Sequence, residues 1–255
     1  MDTVNVEWIE IPAGQFLLGL SESQIQELLN QSRRAGADRR VFEDFSPQQI
    51  VYLPTFYISR FPITQEQFDL FIKQSDIEQD SRSPVEAMHP AKCTWHEANL
   101  FCNWIGARLP TDTEWEKAAR GTDGRLYPWG NKWDPHRGNF GQGDARGSSR
   151  DIRTSPVDAY PEGASPYGIE SVLGNGFEWT LAFSLGQGPY LKDRREFERR
   201  QYVILRGSEP DTPLSWVHYI ARHDKSQSLS QLIMTHTGFR PIMDEWQYKN
   251  KTVNG

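Results

Sequence analysis

Cysteine occurs only twice in the 255 residues, at Cys93 and Cys102, too few for a disulfide framework. No apolar run approaches the roughly 20 residues that a membrane helix needs. The opening "MDTVNVEWIEIP" lacks a basic stretch followed by an apolar one, so no secretory leader is visible. Positive charge is not in excess: 28 Lys and Arg stand against 34 Asp and Glu, a formal charge of −6. That balance argues against a nucleic-acid partner, which would need a basic face. The local basic runs, Arg33-Arg34 with Arg39-Arg40 and Arg194-Arg195 with Arg199-Arg200, are interleaved with acids and read as solvated faces. These absences lead to the expectation of a soluble, cytoplasmic chain with no membrane and no nucleic-acid partner.

What the chain does have is aromatic area. Hydrophobic residues make up only 37%, yet aromatics reach 12%, with nine Trp, far above a disordered composition. So much ring surface with so little aliphatic surface suggests irregular loops pinned by rings. "VEWIEIPAGQFLLGL" reads as two short strands around a turn at Pro12-Ala13-Gly14, and "IVYLPTFYISRFPIT" as further strand. Residues 21–34 carry Ile25, Leu28 and Leu29 at helical spacing, with Ser21 and Gln24 placed for a capping box. Three more helices start alike: Thr64 three before Gln67, Thr94 three before Glu97, Thr111 three before Glu114. In each, the hydroxyl can satisfy an orphan backbone N–H while the acid or amide reaches back. Gly106 and Gly121 stop the second and third of these. From Thr122 to Pro166 Gly, Pro, Asp, Arg and Ser dominate; so long an aperiodic stretch needs an ion, a ligand or aromatic anchors to fix it. "YVILRG" is strand-like again. No tandem repeat and no clean linker divide the chain, which reads as one domain.

These landmarks, in this order, resemble the formylglycine-generating-enzyme family, or sulfatase-modifying-factor fold. The motifs that carry the resemblance are "IPAGQFLLG", "FPITQEQFDLF", "WHEANLFCNWIGARLPTDTEWEKAARG", "YPWGN", "SPVDAYP", "GNGFEW" and the late "GFR". They span about residues 7–242, with 20–48 as a helical insertion and 243–255 as a tail. The resemblance implies an α+β, C-type-lectin-like fold with little regular secondary structure. It also implies copper(I) bound by two cysteines between the "RGGS"-like strand and "GFR" in the oxidases of the family. Soft thiolates suit copper(I). Here that run, "RGSEPDTPLSWVHYIARHDKSQSLSQLIMTHTGFR", holds no cysteine. Cys102 lies on a face with Phe101 and Ile105 and reads as a small buried hydrophobe, so copper is not expected and formylglycine generation is not either.

Glu178, in "LGNGFEWT", sits between Phe177 and Trp179 and must find water or partners. Gly174, Gly176 and Glu178 are spaced by two, which turns alternate groups the same way in an extended segment. Hard oxygens so arranged suit calcium. The resemblance implies a structural calcium here, with Ser171 where the family more usually has Asn or Asp, and a second at Asn139, Phe140, Asp151 and Arg153. The alternative at Glu178 is a carboxylate held by backbone N–H groups or by Arg206 or Arg240.

Two functions remain open on this fold. One is a non-catalytic ligand- or protein-binding module, like the variable receptor proteins of diversity-generating retroelements, or a regulatory pseudo-enzyme. Its protein or small-molecule ligand would meet Glu209, Asp211, Trp216, His218, Tyr219, His223, Asp224 and Lys225, an aromatic and charged set suited to recognition. Trp216 and Tyr219 fit a core role equally well. The other is a metal-dependent oxidoreductase with an altered site, in which His218, His223 and His236 hold a non-haem iron.

Overall fold

A computed structural model describes residues 4–31, 39, 42, 45–75, 77, 85–140, 153–181, 202–210, 223–226 and 237–254. Strands β1 (Trp8–Ile11) and β2 (Gly14–Leu18) are followed by helix α1 (Glu22–Gln31), then β3 (Gln49–Leu53) and β4 (Phe56–Ser59). Helices α2 (Gln65–Gln74), α3 (Trp95–Trp104) and α4 (Asp112–Arg120) come next. The remaining elements are β5 (Gly176–Trp179), β6 (Tyr202–Ser208), β7 (His223–Ser226), β8 (Thr237–Gly238), β9 (Ile242–Asp244) and α5 (Glu245–Asn254).

The strands form small sheets rather than one large one. β1-β4-β9 is antiparallel, β2 pairs β3, and a four-stranded sheet runs β7-β6-β5-β8 with its β5–β8 pair parallel. This is the α+β architecture with sparse regular structure that the motifs imply. Among the described residues, no helix is long and apolar enough to cross a membrane.

Local sequence explains the helix starts. Thr64, Thr94 and Thr111 each close a capping box with Gln67, Glu97 and Glu114, which satisfies two orphan N–H groups apiece. Ser21 and Gln24 do the same ahead of α1. Gly121 ends α4 at φ 72°, a left-handed value that glycine adopts without strain. One predicted feature differs from what forms, and one strand was not predicted. The stretch taken as a tail supplies β9 and α5, because the Met243 side chain is fully buried and β9 pairs with β4. β7, "HDKS", has no apolar alternation and exists as an edge strand paired with β6.

The core is built in three clusters. Phe68, Phe71, Phe101 and Phe239 pack between α2, α3 and β8. Ile11, Phe56, Ile58, Ile242 and Trp115 join β1, β4 and β9 to α4. The third joins α1 to the aperiodic segment through Leu28, Tyr127 and Leu173, with Trp129, Trp133 and Phe140 against it. Those rings lie 4.6–6.3 Å apart, centroid to centroid, and are the aromatic anchors the long loop requires. All nine residues of α4 are buried, including Asp112, Glu114, Glu116, Lys117 and Arg120. A buried helix this polar is stable only if its charges are paired, and that demand organises the centre of the molecule.

Candidate functional site

Two buried ion-pair systems meet on α4. Glu116 Oε1 accepts from the Gly19 N–H (2.7 Å) and from Arg120 (2.7 Å), and Glu116 Oε2 accepts from Arg206 (2.6 Å). Arg206 stacks over Trp115 at 5.5 Å from the ring centroid and also donates to the Asp112 carbonyl. Trp115 in turn donates its Nε1–H to Glu178 Oε2 at 2.6 Å. Arg240 completes the second system. Its Nε donates to Glu178 Oε2 and its Nη2 to Glu178 Oε1, each at 2.6 Å, a bidentate, charge-assisted pair.

Of the readings open for Glu178, the structure therefore supplies Arg240. Glu178 is 2% exposed and is sealed from bulk solvent. Arg206, the other arginine considered, belongs to Glu116 instead. Beside Glu178 lies a cavity of about 10 Å³ bounded by Pro62, Pro90, Ser171, Gly176 and Phe177, room for about one water molecule.

The Gly174–Gly176 turn is organised by a residue that sequence reasoning passed over. Asn175, at φ 69°, accepts from the Ser155 N–H (2.6 Å) and hydroxyl (3.1 Å) through Oδ1. Its Nδ2 donates to the Ser155 carbonyl (3.0 Å) and to Ser171 Oγ (3.1 Å). Asparagine tolerates the left-handed region that this turn needs, and two flanking glycines were the available signal.

Of the second predicted metal set, Asn139, Phe140 and Arg153 are described. Asn139 Nδ2 lies 2.8 Å from the Arg153 carbonyl, and the Asn139 carbonyl accepts from the Asn175 N–H. Phe140 stands in the aromatic cluster, and Asp151 falls outside the described residues. No cluster of three or more His, Cys, Asp or Glu placed to hold a metal occurs among the described residues.

Of the predicted ligand surface, Glu209 follows directly on β6 and is partly buried. The backbones of His223, Asp224 and Lys225 lie on β7, opposite Leu205, Ile204 and Val203. Asp211, Trp216, His218 and Tyr219, like His236, lie outside the described residues. Both cysteines are fully buried in the cluster around Phe101. Burial pushes the Cys102 thiol well above its ordinary range, so it does not present a thiolate.

Residues 2–245 match the family described as Sulfatase-modifying factor enzyme 1-like domain. The formylglycine-generating enzyme of Bos taurus is 27% identical over 228 residues, covering 68% of this chain and 56% of that protein. The inactive C-alpha-formylglycine-generating enzyme 2 of Bos taurus is 45% identical over 94 residues, covering 35% of this chain and 31% of that one. The chain thus spans about half or less of these relatives' length. Among solved structures, PvdO from Pseudomonas aeruginosa superposes with a TM-score of 0.67 at 19% identity, over 92% of this chain and 93% of its own. Treponema denticola variable protein 1 gives 0.63 at 16%, over 94% and 95%. At these identities the structures speak for the fold alone.

Proposed function

We propose that this chain, which belongs to the sulfatase-modifying-factor family, is a non-catalytic module that binds a protein or small-molecule ligand through the segment between Arg206 and Arg240. One observation carries the reading: that segment holds no cysteine, while the two cysteines present are sealed in the core. A copper(I) site of the thiolate kind therefore has no ligands there. Similarity to a relative named inactive supports the same direction. The ligand surface is Glu209, Asp211, Trp216, His218, Tyr219, His223, Asp224 and Lys225. A structural calcium is proposed at Asn139, Phe140, Asp151 and Arg153, where binding requires the Asn139 amide to exchange its Nδ2 donation to the Arg153 carbonyl for an Oδ1 ligand. A chain with two cysteines, both buried in the core, suits a reducing, cytoplasmic setting.

The test is metal content and oxygen uptake on one purified sample. Neither copper nor iron at stoichiometric level, and no oxygen consumed with a thiol and a cysteine-containing peptide, is the expected result. Stoichiometric iron lost on His218→Ala or His223→Ala refutes it and establishes the oxidoreductase alternative. Trp216→Ala and Tyr219→Ala should leave the melting temperature within about 2 °C, as surface changes do, while weakening ligand capture. If both unfold the protein, those rings belong to the core.

A further inference from the structure

The loop around Glu178 does not fit the calcium that its resemblance implies. Calcium takes six to eight oxygens, and its affinity rises with the number of charged ligands. Of the four groups that would serve, three are already engaged inside the protein. Both Glu178 oxygens accept from Arg240, and one also from Trp115. The Gly174 carbonyl accepts from the Gly176 N–H at 2.9 Å. Ser171 Oγ accepts from Asn175 at 3.1 Å, and serine brings no charge in any case. The nearby carbonyls are also turned to the guanidinium: Arg240 donates to Glu170 (3.0 Å), Ser171 (3.4 Å), Arg60 (3.1 Å) and Ser59 (3.3 Å). One buried acid and one buried base leave the pocket with no net charge. A divalent ion entering beside Arg240 would meet a like charge at short range in a poorly screened interior.

We infer that Arg240 is the resident cation of this loop: its guanidinium replaces a metal, and the Gly174–Glu178 turn folds without calcium. The adjoining cavity, about 10 Å³ and lined by Ser171, Asn175 and Glu178 as well as Pro62, Pro90 and Phe177, has room for about one water. The inference is independent of the binding function and of calcium at Asn139.

The experiment uses the full chain carrying Asn139→Ala, so that the other proposed calcium site is removed. Calorimetric titration with calcium chloride should then show no binding, and calcium or EDTA should leave the melting temperature unchanged. Arg240→Gln in the same background frees the Glu178 carboxylate, and calcium should raise its melting temperature where it does not raise the parent's. One calcium equivalent bound by the Asn139→Ala chain and lost on Glu178→Gln overturns the inference. So does an Arg240→Gln variant that folds yet stays indifferent to calcium. If Arg240→Gln does not fold, the titration of the Asn139→Ala chain alone decides.

Discussion

Glu116→Gln should be among the most damaging single changes that add or remove no bulk. The carboxylate is fully buried and serves two guanidiniums, Arg120 at 2.7 Å and Arg206 at 2.6 Å. It also holds the Gly19 N–H, fixing a turn where glycine has φ 79° and a Cβ would sit 2.3 Å from the Phe45 carbonyl oxygen. Glutamine keeps an acceptor for Gly19 and Arg120 but turns its amide NH₂ toward Arg206, a donor facing a donor. It also removes the acid that pairs with Arg120 among the described residues. For Arg206, Asp112 remains, but at 3.8 Å. Removing one partner of a buried pair costs about 3–5 kcal/mol, a large part of the roughly 5–15 kcal/mol that holds a domain folded. At about 2–4 °C per kcal/mol for a chain near this size, the melting temperature should fall by roughly 6–20 °C. Thermal melts and urea titration measure it. Adding Arg120→Met to Glu116→Gln removes one of the two cations that lose this carboxylate, so the double variant should lose less than the sum of the single losses. A Glu116→Gln protein melting within about 2 °C of the parent, or strictly additive losses, would refute the reasoning.

Four further outcomes follow from single residues. Thr111→Ala removes the hydroxyl that accepts from the Glu114 N–H and donates to its carboxylate, and urea titration should register a loss of about 1 kcal/mol. Gly163→Ala would place a Cβ 1.9 Å from the Arg137 carbonyl oxygen and should destabilise by about 1–3 kcal/mol through a forced backbone shift. Gly168→Ala, with φ 84° and open space around it, should instead cost about 1–2 kcal/mol in backbone strain alone. Lys117 donates to the Pro12 and Gly14 carbonyls, and burial lowers its pKa from 10.5. Because the folded pKa lies below the unfolded one, the unfolded chain holds more protons between the two values, and this group's contribution to stability rises with pH across that window. Lys117→Met should flatten that rise in melts taken from neutral pH to about pH 10.5, the unfolded lysine range.

The parts of the fold legible in the sequence are those set by neighbours in the chain. Thr64, Thr94 and Thr111 announce three helices because the capping box is complete within four residues. The aperiodic stretch from Thr122 to Pro166 announces only that an ion, a ligand or aromatic anchors must fix it; that Tyr127, Trp129, Trp133 and Phe140 do so is visible in the folded chain. The central ion pairs were not legible as pairs: Glu178 meets Arg240 across 62 positions and Glu116 meets Arg206 across 90. Sequence could say that Glu178 needed a partner and narrow the arginines to two, but choosing between them requires the β5–β6 register and the return of the chain at Phe239. The same limit applies to the metal ligands. Spacing by two at Gly174, Gly176 and Glu178 brings oxygens to one side in an extended segment, but the segment turns at Asn175, and the Gly174 carbonyl is spent on the Gly176 N–H. Motif spacing could identify the loop; the hydrogen bonds of the folded chain decide what it holds.

Arg206 and Arg240 also mark the two ends of the segment that carries the proposed ligand surface, and both guanidiniums are buried. Trp115 touches both systems, its ring face against Arg206 and its Nε1–H on Glu178. Each end of the segment is therefore fastened to α4 or to the strand beside it by a charge pair. The partners in those pairs, Glu116 and Glu178, lie outside the segment, as does Trp115. Residues just inside its two ends hold the same centre: Ser208 accepts from the Gly174 N–H, and Phe239 packs in the cluster around Phe101. Substitutions at Ser208, Gly238 or Phe239 should therefore lower the melting temperature as changes in the scaffold do, which separates these positions from the surface residues of the proposed binding segment.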